Sequence, residues 1–163
     1  MGIMKQLQTF LLLFCMTLPQ LCRADWAPVA VQDSLKALYP QADGVAWSHD
    51  EAYYVADFPF DGFDVRIWFT DSGRWVMKQT DWQVMDEVPS AVYNAFAAGE
   101  YASWQVLDVV WVEFPHWQPL VSVTVGEQNL DAQMQLIYTP NGRLLRVRNV
   151  TNQSDFLGAS TFL

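Results

Sequence analysis

Two hydrophobic spacings run along the chain, and each recurs. In residues 63–70, Val65, Ile67 and Phe69 alternate with Asp64, Arg66 and Trp68, and residues 53–58, 120–125 and 132–139 carry a similar alternation. A period of two sends successive side chains to opposite faces of a strand, so these runs predict strands with one buried face. Val31, Leu35 and Leu38 instead fall at helical spacing, as do Val88, Val92 and Phe96. Pro28 and Pro40 bound the first of these helices. Asp86 as a cap, Pro89 in the first turn and Gly99 past the end frame the second. Between each helix and the alternating runs, residues 45–47 and 106–114 read as a further strand.

A turn pattern ties the two sets together. Phe69-Thr70-Asp71-Ser72-Gly73-Arg74 and Tyr138-Thr139-Pro140-Asn141-Gly142-Arg143 share an aromatic-Thr pair, two turn residues and Gly-Arg, followed by apolar residues at the same offset. Ser-Gly and Asn-Gly in this setting predict hairpins, as Asp61-Gly62 does between residues 58 and 63. The order helix, strand, hairpin, strand, strand therefore occurs twice, in residues 28–82 and 86–149, joined by residues 81–87 and followed by a tail at 150–163. Either unit alone, at about 60–70 residues, has a marginal core. The prediction is one α+β domain over residues 25–163, with two tandem helix-plus-antiparallel-sheet repeats sharing one sheet and the helices on one face.

The first residues change the picture of where this domain works. Lys5, an apolar core over residues 10–18, Pro19 and then Cys22-Arg23-Ala24 follow the order of a secretory signal, with a cut after Ala24. The core is too short to span a bilayer, which takes about 20 apolar residues. A lipoprotein signal ending at Cys22 is the rival reading, but Pro19-Gln20-Leu21 is not a small-residue lipidation box. Cys15 and Cys22 both leave with the signal, so the mature chain has neither disulfide nor thiol chemistry. Lys5 and Arg23 leave too, and seven basic residues then face 18 acidic ones, a net charge of −11. That excess repels phosphate backbones and argues against nucleic-acid binding. A chain 52% hydrophobic, with eight tryptophans, is not a disordered one.

Leu38-Tyr39-Pro40, Val45-Ala46-Trp47, Tyr53-Tyr54-Val55, Val65-Arg66-Ile67-Trp68-Phe69, Ser72-Gly73 followed by Trp75, and Val88-Pro89 together resemble the PepSY-like family related in fold to the secreted beta-lactamase inhibitor protein. The resemblance runs from about residue 29 to 147 and rests on packing and turn positions. It implies an envelope-located protein, periplasmic in a Gram-negative bacterium, with a concave sheet open to solvent. In the inhibitor such a surface grips an enzyme. The mature chain lacks the inhibitor's cysteines, and none of its inhibitory loop residues maps onto a position here.

Strand parity turns this into candidate residues. If Val65, Ile67 and Phe69 face the helices, Arg66 and Trp68 face away. Matching the first hairpin to the second sends Val76 inward with Leu145, and Trp75 and Met77 outward beside Trp68. Arg66, Trp68, Trp75 and Met77 thus form the candidate partner-binding patch, of residue types enriched at interface centres, and an uncovered apolar patch calls for a partner. The alternatives are that the tryptophans pair across strands or lie beneath the tail. On the patch reading, alanine at Trp68 and Trp75 leaves the fold intact. The equivalent outward set in the second repeat is Gln133, Gln135, Ile137, Leu144, Arg146 and Arg148, more polar and partly basic.

Other chemistry is thinner. Asp57, Asp61 and Asp64 lack the spacing of a calcium loop, and hairpin formation accounts for Asp61-Gly62. His49 and His116 fall in expected loops after the first strand of each unit, without a third orienting group or a nucleophile elbow. Asn149-Val150-Thr151 and Asn152-Gln153-Ser154 matter as glycosylation sites only in a eukaryotic secretory pathway. Residues 156–163 fit an added edge strand or a mobile end. The sequence thus names no catalytic residue, metal ligand or cofactor. It points to a non-catalytic periplasmic binding module for an envelope protein or peptide, with inhibition of an envelope enzyme as its finer form. The alternative is an envelope sensor or carrier of a small ligand or cation.

Overall fold

The computed structural model describes residues 27–154 and 157–163. The signal segment, its cut after Ala24, and both cysteines lie outside the described residues. Helix α1 (Val29–Leu38) leads into strands β1 (Ala46–Asp50), β2 (Tyr53–Phe60), β3 (Phe63–Phe69) and β4 (Trp75–Asp81). A 3-10 turn at Met85–Glu87 precedes helix α2 (Ser90–Ala97) and strands β5 (Gln105–Glu113), β6 (Leu120–Glu127), β7 (Ala132–Tyr138) and β8 (Leu144–Asn149), with a second 3-10 turn, Gln128–Leu130, between β6 and β7. A four-residue helix, α3 (Ala159–Phe162), follows. The strands form one open sheet in sequence order, every neighbour antiparallel. This is the α+β architecture that the segregated hydrophobic spacing predicts.

The helical faces are buried much as their spacing requires. Val31 and Leu35 of α1 pack on Ala56, Phe58, Val65, Ile67 and Phe69, whereas Leu38 at the helix end is half exposed. Val88, Val92 and Phe96 pack on Val109, Val121, Val123, Val125, Leu136 and Tyr138. Pro28 and Pro89 are the N-caps of the two helices. Asp86 is not a cap, because it sits one turn earlier, inside the 3-10 segment.

The two halves meet where β4 pairs with β5 over Lys78–Glu113 to Asp81–Val110. Lys78 and Glu113 form an ion pair across this seam. Burial opposes the Lys78 charge, but the Glu113 carboxylate and the Tyr39 hydroxyl outweigh it and hold the ammonium above its ordinary range.

Two details depart from the sequence reading. Both Gly-Arg turns are followed by a bulge: Phe69 pairs with Trp75 and Trp68 with Met77, leaving Val76 as the extra residue, and Tyr138 pairs with Leu144 and Ile137 with Arg146, leaving Leu145. An extra residue resets the in-out alternation. Trp75 is therefore on the helix side with Phe69, not outward, and Leu144 lines a helix-side cavity with Phe96 and Tyr138. The second departure is residues 157–163, which form neither an edge strand nor a loose end. They lie on the sheet face opposite α1 and α2, where Ala159, Leu157 and Phe162 join Val55, Trp68, Met77, Val110 and Val112 in a third apolar cluster.

Candidate functional site

The register lays out the face away from α1 and α2 as a grid. Val55, Trp68 and Met77 are lateral neighbours, Asp57, Arg66, Gln79 and Val112 form the next row, and Asp64, Asp81 and Val110 the one after. On β5 to β8 the same face carries Asp108 beside Thr124, then Gln135 and Arg148, with Ser122, Ile137 and Arg146 in the adjoining row. An apolar middle thus passes into a polar half.

Residues 157–163 cross this grid as a strap. Asp50 is its first anchor: one carboxylate oxygen accepts from the Trp68 indole N–H at 2.6 Å and from the Ala159 backbone N–H at 2.6 Å. Gln79 donates its side-chain amide to the Leu157 carbonyl at 2.6 Å. Arg148 donates to the Thr161 hydroxyl at 2.9 Å and, at 3.4 Å, to Gln135, whose amide in turn donates to Ser122 at 3.0 Å. Charge-assisted bonds such as those of Asp50 and Arg148 are stronger than neutral ones.

The predicted patch is thereby split. Trp68 and Met77 are on the predicted face but are 1% and 0% exposed, beneath the strap. The expectation that they are uncovered fails because the strap's apolar residues are drawn to the same surface. Trp75 is on the other side of the sheet. Arg66 alone remains at the surface, paired with Asp57 at 2.9 Å and with its guanidinium 5.8 Å from the Trp68 ring centroid. Sequence reasoning missed Asp50 and Gln79; the run Leu157-Gly158-Ala159, apolar and small after the polar residues 151–154, signals a buried segment but not the residues that hold it.

Beside the strap a cavity of about 160 Å³ is lined by Asp57, Asp64, Arg66, Gln79, Asp81, Asp108, Val65, Val110 and Leu157. Asp57 and Asp64 of the sequence-level acidic run meet there, while Asp61 turns away at the hairpin tip with a positive φ of 52°. Among the described residues no group of three or more acidic, histidine or cysteine side chains is arranged to hold a metal. Burial, and then the Asp81 carboxyl next to it, push Asp108 up to about 6. An acid raised in this way costs stability where it is ionised, above pH 6, and the cost fades as pH falls toward 4. Asp108→Asn is expected to raise stability at pH 7.5 by about 1 kcal/mol, discounted for remaining solvent contact. Urea titrations at pH 7.5 and pH 4 check this. The gain should be absent at pH 4, and an equal gain at both values would refute the assignment.

The histidines are apart from these groups. His49 lies within β1, not in a loop, and its ring is tilted against that of Tyr54 with centroids 4.3 Å apart. His116 lines an open apolar cavity of about 260 Å³ with Tyr53, Val76, Phe114, Trp117 and Phe162, at the far end of the strap.

Solved structures share this fold. A protein from Bacteroides uniformis, of the DUF2874 family, is 59% identical, covers 85% of this chain and 100% of its own, and superposes with a TM-score of 0.83. The chain belongs to the DUF2874 family. A candidate periplasmic protein from Bacteroides eggerthii matches this DUF2874 chain at 56% identity, covering 85% of it and 99% of its own length, with a TM-score of 0.84. A BLIP-like protein from Bacteroides fragilis is 35% identical over 80% of this chain and 91% of its own, with a TM-score of 0.73. The beta-lactamase-inhibitor-like architecture implied by the sequence is thus the architecture of this DUF2874 protein. No family model matches the chain, and no curated protein does. Among the described residues no helix is long and apolar enough to cross a membrane.

Proposed function

We propose that this DUF2874 protein is an exported, non-catalytic binding module of the periplasm that holds a protein or peptide on the sheet face opposite α1 and α2. The observation that carries this reading is that the face already seats a polypeptide segment. Trp68 and Met77 provide the apolar floor, and Asp50 and Gln79 hold the segment's backbone. Arg66 borders this floor, and Trp117, 76% exposed, extends the surface beyond the strap. Tryptophan and arginine are the residue types most often found at binding hot spots. The BLIP-like relative supports a protein as the partner, and inhibition of an envelope enzyme is the finer form of the same proposal.

The test pairs variants on opposite faces. Mature protein, an Arg66→Ala/Trp117→Ala variant and a Val29→Ala/Tyr93→Ala variant, whose changed residues are exposed on α1 and α2, are used to capture envelope proteins. All three should melt alike. A partner kept by wild type and by the helix-face variant, and lost by the first, is the expected result. Loss by the helix-face variant instead, or no difference among the three, overturns the reading.

A further inference from the structure

We infer that the strap of residues 157–163 is an intrinsic occupant of the binding face, and that the partner engages by taking its place with a segment of the same chemistry: an apolar residue, two small residues, then an aromatic. The inference rests on the binding-module reading and adds what the face recognises. Three features of the seat support it.

The polar anchors at the strap's start grip main chain rather than side chain. Asp50 accepts from the Ala159 N–H and Gln79 donates to the Leu157 carbonyl, so any segment following the same path satisfies both. No β-ladder ties the strap to the sheet, whose eight strands pair only with each other. Its contacts with the sheet include these, that of Arg148 on Thr161, and a short apolar strip. Local opening of a segment that lies outside the ladder requires less than global unfolding. Finally, the strap leaves space at its far end, where Phe162 and Leu163 line an open aromatic cavity together with Tyr53, Phe114 and Trp117.

The small residues set the specificity. Gly158 and Ala159 are both buried, Ala159 at 1% exposure against the Val55, Trp68 and Met77 floor. A longer side chain at the Ala159 position has to displace the indole, because packed interiors accept added volume poorly. A competing segment therefore needs small residues at the Gly158 and Ala159 positions, an apolar one before them and an aromatic at the Phe162 position. The tether gives the strap an effective concentration in about the millimolar range, so a free peptide competes poorly with the intact chain. Loosening the strap removes that advantage.

Ala159→Pro is suited to this, since Ala159 is the first residue of α3, where proline is tolerated. The change removes the N–H given to Asp50, a charge-assisted bond, and adds ring carbons at a buried position, and both effects are expected to speed opening, by about tenfold or more together. Wild-type and Ala159→Pro full-length mature chains are followed by hydrogen exchange and titrated with a capped peptide of residues 157–163. A second peptide carries leucine at the Ala159 position.

In the variant, strap amides should exchange at least about tenfold faster while β3 and β4 amides keep their protection. The variant should bind the first peptide saturably and refuse the second, and wild type should bind the first more weakly. Strap amides that exchange only together with β3 and β4 in both proteins would show the segment to be core and overturn the inference. So would a loosened variant that takes neither peptide or takes both equally. If Ala159→Pro fails to fold, Thr161→Val, which removes the strap hydroxyl that accepts from Arg148 and leaves the seat residues unchanged, takes the same test. Peptide binding with no captured envelope protein upholds the occupant and sinks the envelope-partner reading. Face-dependent capture without peptide binding sinks this inference alone.

Discussion

Trp68→Ala is expected to cost about 3–5 kcal/mol, the range for deleting a buried aromatic side chain. The indole is 1% exposed, and its ring lies among Val55, Met77, Val110, Val112 and the strap residue Ala159. Removing it opens a cavity at the centre of the face. It also takes away the N–H that the Asp50 carboxylate accepts at 2.6 Å, while that oxygen still has to hold Ala159. Domains of this size are stable by about 5–15 kcal/mol, so the loss is a large fraction of the whole. Urea denaturation followed by circular dichroism measures it, with Trp68→Phe as a second variant that keeps one six-membered ring and loses the N–H together with part of the indole's volume. Phenylalanine should cost about 1–3 kcal/mol. A cost below 1 kcal/mol for alanine would mean that the strap does not bury the ring.

Strand parity places Trp68 on the correct face but leaves it uncovered and dispensable for folding, whereas the strap buries it. Alternation correctly placed Val65, Ile67 and Phe69 toward α1, because period two is fixed by backbone geometry wherever a strand is regular. It failed one residue past the turn, at Trp75, where a bulge adds Val76 to one strand of the pair. Nothing in the composition of Arg74-Trp75-Val76 marks that extra residue. The helix faces were legible for the same reason as the strands: Val88, Val92 and Phe96 repeat at the helical period and are all buried.

The candidate site was only partly legible. Trp68, Met77 and Arg66 share the predicted face, but local alternation says nothing about which distant segment covers it. The contacts from Asp50 and Gln79 to residues 157–159 join parts of the chain 109 and 78 positions apart. Such pairings are set by tertiary packing, and periodicity has no access to them. The one sequence signal was the return of apolar and small residues after the polar stretch at residues 151–154, which implies a buried seat without locating it.

Gly142→Ala and Gly73→Ala are expected to cost about 3–5 kcal/mol each, against about 1–2 kcal/mol for Gly62→Ala. All three glycines have φ between +83° and +85°, a region where an L side chain is strained. At Gly62 a methyl group meets nothing within 4 Å, so that variant reports the backbone strain alone. At Gly73 the methyl group comes to 2.5 Å from the Ala30 carbonyl oxygen and 2.6 Å from the Ser34 hydroxyl, and at Gly142 it overlaps the Ala91 carbonyl. Ser34 can rotate away, but the carbonyls belong to helix backbone. Ala30 and Ala91 are each the second residue of their helix, so both hairpin tips press on the same point of α1 and α2. Relief requires a helix to lift, which separates Val31 and Leu35, or Val92 and Phe96, from the sheet. Thermal and urea unfolding of the three variants gives the contact contribution as the difference from Gly62→Ala. Equal losses at all three positions would show that the glycines are needed for turn conformation alone. A larger loss at positions 73 and 142 would show that these turns also fix where the helices sit.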